Sequence, residues 1–221
     1  MQTDSGGKPV YCISGLGADE RIFEGFHFPG FTLQYLSWLP PLRNEKIDRY
    51  AERIRHRIED PEPILFGVSF GGILAIEIAK KQKVQKLVLV SAVKTAGEMP
   101  SWMRMSGYLH LHKILPVRSV KITERFDNRR LGIRTKEEEM LVNEYRKEAD
   151  HHFIEWGIHE ILTWKNDVVP GNCIHIHGSE DRVFPIRNIQ ATHIVPGGTH
   201  IMVLNRKTDL GKIITEELSG K

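Results

Sequence analysis

The stretch Ile64-Leu65-Phe66-Gly67-Val68-Ser69-Phe70-Gly71-Gly72 decides how this chain folds. Three apolar residues lead into a serine flanked by glycines, and an apolar run from Ile73 to Ala79 follows. The first half reads as a buried strand, Pro63 to Val68, and the second as a helix, Ser69 to Lys80. Gly-x-Ser-x-Gly between a strand and a helix makes a turn so sharp that the flanking positions have no room for side chains. It exposes the serine hydroxyl at the end of the sheet. The start of the helix also turns free N–H groups toward that hydroxyl, where negative charge is favoured. Ser69 is therefore a candidate nucleophile; the alternative is an ordinary glycine-rich turn.

Outward from this turn, short apolar strands alternate with helical patterns, the mark of a parallel α/β sheet. Upstream, Val10 to Ser14 reads as a strand ending at Gly15-Leu16-Gly17, and Phe31 to Trp38 as a second strand closed by Pro40-Pro41. Glu45 to Ile58 reads as a helix with Ile47, Tyr50, Ala51, Ile54 and Ile58 on one face. Downstream, Lys86 to Val90 is continuously apolar after its first residue, as in a strand covered on both faces. The rhythm then breaks from Val93 to Asn166, where Met, Trp, His and charged residues replace strand patterns. Thr135-Lys136-Glu137-Glu138 is a capping box, and the helix it opens is expected to run to about Trp164, bending at Gly157. Strands resume at Asn172 to His177 and Thr192 to Val195, and a last helix runs to about Leu218. The expected organisation is one domain over residues 1–221, with a helical insertion at 94–165.

Bulk composition narrows the function. The chain has 221 residues, 40% hydrophobic and 27% charged, with a formal charge of +3. That balance is ordinary for a globular protein and too mild to argue for nucleic acid or a membrane surface as partner. No apolar stretch approaches the roughly 18 residues of a membrane span, and the start shows no secretory pattern. Cys12 and Cys173 each sit in an apolar run and are expected to be buried and reduced, which fits a cytoplasmic location.

A nucleophilic serine needs oxyanion donors and a base. The backbone N–H of Phe70, just after the serine, is one candidate donor. The other is the N–H of Leu16 in the loop after the first strand, with Gly17 as the alternative. Gly178-Ser179-Glu180-Asp181 follows a late strand and offers an acid, Asp181, with Glu180 as its neighbouring rival. The loop after Val90 holds Ala92, Val93 and Lys94 and offers no carboxylate. The order Ser, Asp, His leaves His193 and His200 as bases. His193 opens a strand and reads as structural; His200 follows Gly197-Gly198 in a loop. An imidazole base makes turnover fall on the acid side as it protonates. A metal reading is weaker. His175 and His177 share a strand face near Asp181, but the ligand spacing of a dinuclear site is missing. His151-His152 cannot share one helix face. No metal and no cofactor is expected.

Taken together, Gly15-Leu16-Gly17, Gly67-Val68-Ser69-Phe70-Gly71, His177-Gly178-Ser179-Glu180-Asp181-Arg182-Val183-Phe184-Pro185 and Gly198-Thr199-His200 resemble the α/β-hydrolase superfamily. The resemblance covers nearly the whole chain outside the insertion. It implies an α/β fold with a mostly parallel central sheet flanked by helices, a Ser-Asp-His triad, a two-amide oxyanion hole and a helical cap where the insertion lies. Two departures stand out. Ser14 occupies the place where many members carry His before the oxyanion glycine, and the leading antiparallel hairpin of larger members is expected to be absent, as in a reduced form of the fold. The expected activity is hydrolysis of an ester, or a related acyl bond, of a small apolar molecule. A C–C bond hydrolase or lyase, or a non-catalytic ligand-binding relative, are the alternatives. Gly17, Trp102, Met103, Met105, Tyr108 and Trp156 are candidate pocket residues. Trp, Tyr and Met also serve as packing between insertion and core.

Overall fold

A computed structural model describes residues 7–110 and 128–220 of the chain. Six strands form one sheet: β1 (Lys8–Ile13), β2 (Phe31–Tyr35), β3 (Ile64–Val68), β4 (Lys86–Val90), β5 (Cys173–Gly178) and β6 (His193–Val195). Their spatial order is β2-β1-β3-β4-β5-β6, and every neighbouring pair is parallel. Helices α1 (Ile47–Arg55) and α2 (Phe70–Ala79) lie between β2, β3 and β4 in sequence. Helices α3 (Ser101–Tyr108), α4 (Lys136–Glu148) and α5 (His151–Thr163) separate β4 from β5. Helices α6 (Met202–Asn205) and α7 (Lys207–Ser219) end the described chain.

The alternation of side chains along each strand builds two apolar layers. Tyr11, Ile13, Leu65, Leu87 and Leu89 face the layer that holds α1 and α2. Val10, Cys12, Ile64, Phe66, Val88 and Val90 face the other, with Leu210 and Ile214 of α7. Helix α2 is apolar on all sides because it is enclosed. Phe70 through Ile78 are all buried, Glu77 included. Glu77 takes hydrogen bonds from Trp164 Nε1 at 2.8 Å and Lys80 Nζ at 2.7 Å, so its carboxylate is paired. No helix among the described residues is long and apolar enough to cross a membrane.

The helix read as continuous from the capping box to Trp164 is two helices. The capping box forms at Thr135 and Glu138 as expected. The break falls at Ala149-Asp150, because Asp150 turns its carboxylate onto the N–H groups of His152 and Phe153 and caps a new helix. Gly157 instead lies inside α5, where a Cβ would stand 2.3 Å from Leu16 Cδ1. Its glycine serves close packing, not a bend. Replacing Asp150 with alanine is expected to lower stability by about 1 kcal/mol, read from urea denaturation.

Other boundaries shift for tertiary reasons. Helix α1 starts at Ile47, and its first N–H is capped by Glu160 Oε2, 113 residues away, at 2.9 Å. Glu45 folds back to accept from Leu42 N and Arg53, outside the helix. The strand read as reaching Trp38 stops at Tyr35, and the C-terminal helix divides at Arg206 into α6 and α7. Both cysteines are free; Cys12 is buried, but Cys173 is only partly so because it opens β5.

Candidate active site

In an all-parallel sheet the C-terminal ends of the strands share one edge, and ligands bind there beside the point where strand order reverses. Here that point lies between β1 and β3, with β2 on one side of β1 and the rest of the sheet on the other. Ser69 follows β3, the Gly15-Leu16-Gly17 loop follows β1, Asp181 follows β5, and His200 follows β6. The topology therefore gathers all four on one edge.

Ser69 has φ 52° and ψ −115°, a left-handed backbone rare for a residue with a side chain. Such strain persists only where surrounding packing enforces it. The flanking glycines show the enforcement. A Cβ on Gly67 would sit 2.6 Å from Gly71 O, and one on Gly71 would sit 2.3 Å from Ser14 O. The turn and the β1 loop are thus pressed together, and the Cβ position of Gly15 lies 3.5 Å from Ser69 Cβ. Among the described residues, neither Leu16 N–H nor Phe70 N–H donates to a backbone carbonyl.

The loop has a brace of its own. Ser14 Oγ donates to Ala18 O at 2.8 Å and accepts from Trp38 Nε1 at 2.8 Å. Trp38 stacks on Phe70 with ring centroids 5.3 Å apart, and Phe70 is the residue whose amide follows the serine. A serine at position 14 thus ties both sides of the anticipated oxyanion site. The polar residue before the oxyanion glycine was noted in the sequence, but nothing local pointed to Trp38 as its partner.

Ser69 Oγ lies 2.9 Å from His200 Nε2, and His200 Nδ1 lies 2.8 Å from Asp181 Oδ2. Two glycines bring the last two loops together. A Cβ on Gly178 would stand 2.3 Å from Gly198 O, while Glu180 N donates to that same oxygen at 2.8 Å. The Asp181 carboxylate is fully buried. Burial opposes its ionisation, but charge and hydrogen bonding from His200, with help from His177 and the Phe184 N–H, outweigh it and hold the carboxyl below its usual range. Phe184 also sets its ring edge-on to the His200 imidazole at 5.5 Å. The rival carboxylate, Glu180, points outward to Arg134 at 2.6 Å, and His193 pairs with Glu217 at 2.7 Å.

His175 and His177 share a strand face with rings 5.2 Å apart. Each Nε2 faces a carbonyl, Ala92 O at 3.1 Å and Phe184 O at 2.8 Å. Among the described residues no cluster of three or more His, Cys, Asp or Glu could hold a metal ion. Burial, with lesser contributions from His177 and Lys94, pushes the His175 imidazole down from 6.5 to about 3. A buried histidine lowered in this way destabilises the fold where the unfolded chain protonates and the folded chain does not. Stability is therefore expected to fall as pH drops below about 6.5, by about 2 kcal/mol at pH 5 from His175 alone. Urea titrations at pH 7 and pH 5 should show this loss, and a His175→Gln variant, which does not titrate, should show less of it.

Two clefts lie near the loops that carry these residues, one at Gly17 and one at Thr199, and neither is lined by Ser69 or His200. One of about 210 Å³ is lined by Gly17, Trp38, Leu39, Tyr145, Ala149 and Phe153, with Asp19, Glu148 and Asp150 among its polar residues. The other, about 470 Å³, lies beside Thr199 and is lined by Arg129, Arg134, Lys136 and Arg182 together with Glu139 and Glu180. Of the residues expected in a pocket, Gly17 lines the smaller cleft. Trp156 packs between Tyr50, Phe70 and Phe153 and donates Nε1 to Glu45 O at 2.7 Å. Met103 packs partly buried against the core. Trp102, Met105 and Tyr108 are exposed on α3, with Arg130 over the Trp102 ring. None of these five lines either cleft. Trp38, Tyr145 and Phe153, which do line the smaller one, carry no sequence signal that separates them from core aromatics.

No protein-family model matches the chain, and no curated protein does. Solved structures are similar in fold. A thermophilic esterase from Thermogutta terrifontis is 16% identical, with 97% of this chain and 90% of that one covered at a TM-score of 0.71. MenH from S. aureus is 14% identical, with 96% and 94% covered at 0.71. A meta-cleavage product hydrolase from Pseudomonas fluorescens IP01 is 17% identical, with 97% and 91% covered at 0.64. At these identities the likeness is one of architecture, and the architecture of this chain is the α/β-hydrolase fold.

Proposed function

We propose that the protein is a serine hydrolase that cleaves an ester of a small, apolar molecule through an acyl-enzyme. The reading is carried by one observation, the unbroken chain of contacts from Ser69 Oγ to His200 Nε2 and from His200 Nδ1 to Asp181 Oδ2, at 2.9 and 2.8 Å. In the proposed reaction His200 takes the proton as Ser69 Oγ attacks the acyl carbonyl, and the N–H groups of Leu16 and Phe70 hold the oxyanion. His200 then gives the proton to the departing alcohol. Water, activated by the same imidazole, attacks the acyl-enzyme, releases the acid and restores Ser69. Asp181 keeps His200 in the tautomer with Nδ1–H and stabilises the imidazolium.

Helix α5 is proposed to act as a cap. Supporting this, Phe153 and Trp156 pack on Phe70, and the Cβ position of Gly17 lies 3.0 Å from Ile154 Cδ1. The smaller cleft beside Gly17 is proposed to take the apolar part of the substrate. At about 210 Å³ it is below the roughly 300–1,000 Å³ of pockets for drug-sized ligands, which favours a short acyl or alcohol group.

A fluorophosphonate probe and a panel of p-nitrophenyl esters of increasing acyl length test the reading. The parent protein is expected to be labelled once, at Ser69, and to prefer short chains. An unlabelled parent would sink the activated-serine reading. Labelling without turnover of any ester would redirect it to C–C bond chemistry.

A further inference from the structure

Asp181 has more donors around it than a triad acid needs. Its Oδ1 accepts the N–H groups of Val183 and Phe184 at 2.8 and 2.9 Å. Its Oδ2 accepts from His200 and also lies 3.4 Å from His177 Nε2. That second imidazole is on β5, four residues before Asp181, and is 0% exposed.

The protonation of His177 follows from its partners. Nε2 lies 2.8 Å from Phe184 O. A carbonyl only accepts, so Nε2 carries the hydrogen, and the same edge of the ring faces Asp181 Oδ2. Nδ1 is buried with no hydrogen-bond partner among the described residues. An apolar side chain would fill this space without leaving a buried nitrogen unpaired, a costly arrangement. The useful edge of the ring is therefore the one that touches both ends of the 181–184 loop. The groups facing the ring are Asp181 and His200, His175 on the same strand, and Glu98. Burial outweighs the carboxylates and keeps the His177 imidazole below its usual range, so the ring stays a neutral donor around pH 7.

We propose that His177 is a positioning residue for Asp181: its Nε2–H donates to Phe184 O and ties down the 181–184 loop, which holds the positive edge of the ring 3.4 Å from the carboxylate oxygen that His200 uses and so sets the basicity of His200. This rests on the triad reading above. The sign of the effect is fixed by charge. Removing the positive ring edge beside Oδ2 leaves more negative charge there for His200. The imidazolium is then stabilised, and activity is lost at a higher pH as the medium is acidified.

The test is the second-order rate of fluorophosphonate labelling at Ser69 across pH, which needs no known substrate. It compares the parent, His177→Leu and His177→Gln, with folding checked by near-UV circular dichroism. Glutamine carries an amide N–H at the distance of Nε2. His177→Leu is expected to slow labelling at neutral pH by about 10-fold, the loss of about one hydrogen bond, the one that holds the 181–184 loop. Its acid limb should move up by about half a pH unit. His177→Gln should return both most of the way to the parent. A leucine variant with the parent's rate and limb overturns the proposal, as does a glutamine variant no better than leucine. An unlabelled parent overturns the triad reading itself. Should the leucine variant fail to fold, 15N spectra of the parent decide. A hydrogen on Nε2 of His177 supports the proposal, and a hydrogen on Nδ1 overturns it.

Discussion

The Ser69→Ala variant is expected to lose fluorophosphonate labelling altogether and to lower ester turnover by at least about 10⁴-fold. The size follows from the mechanism. In the proposed mechanism the hydroxyl is the only group that forms the covalent intermediate, and what remains without it is binding and the proposed oxyanion amides. The structure also says why the fold should survive. Ser69 Oγ makes no cap bond to α2, and its hydrogen bond is to His200. The left-handed backbone is held by Gly67, Gly71 and the β1 loop, none of which changes. The melting temperature should therefore stay within a few degrees of the parent, by the usual range for a substitution that opens no core cavity. Intact mass after probe treatment and steady-state rates on the same sample check both halves. Residual turnover within 10-fold of the parent would place the chemistry elsewhere. A Ser69→Gly variant adds a control, since glycine adopts positive φ freely. It should be equally inactive but more stable than Ser69→Ala, by about 1 kcal/mol.

The Asp181→Asn variant is expected to cost about 10³–10⁴ in kcat with little change in KM. The carbonyl of the D181N amide can still accept from Val183 and Phe184. Its NH₂ would then face His200 Nδ1–H, with the Nε2 edge of His177 3.4 Å away. Donor meets donor, and His200 is pressed into the wrong tautomer, with its hydrogen directed at Ser69. The same conflict buries unsatisfied polar groups, so stability should fall by about 1–3 kcal/mol. The double readout discriminates. A loss of stability with normal kcat would make Asp181 a structural anchor only. Asp181→Asn differs from Ser69→Ala in that labelling should be slow but not absent, because the nucleophile remains.

Much of the fold was legible because its rules are local. Strand alternation and apolar runs located all six strands, with β2 reaching three residues short of its expected end and its neighbours closer. The capping box at Thr135 and Glu138 marked the start of α4 correctly, since a cap is a contact across three residues. The break at Asp150 was missed although its signal was present: aspartate before His151 and His152 is itself a cap. Gly157 drew attention away because a glycine in a helix suggests a bend. Its purpose, room for Leu16, depends on a contact with a residue far away in sequence.

The candidate site divides along the same line. The sequence by itself determined the turn that presents Ser69, because the clash of a side chain at Gly67 with Gly71 and Gly72 is a matter of a few residues, whereas the need for glycine at Gly71 comes from β1 packed beside it. Motif order also pointed to Asp181 and His200 as the residues to look for. Only the tertiary structure decided that His200 meets Ser69 across 131 residues with Asp181 behind it, that Glu180 and His193 turn to other partners, and which side chains line the clefts. It alone joined Ser14 to Trp38, Glu160 to the start of α1, and His177 to Asp181. The physical reason is range. Backbone sterics and burial periodicity act within a few residues, whereas the meeting of two side chains is set by strand order, register and the packing of a helix that the sequence places elsewhere.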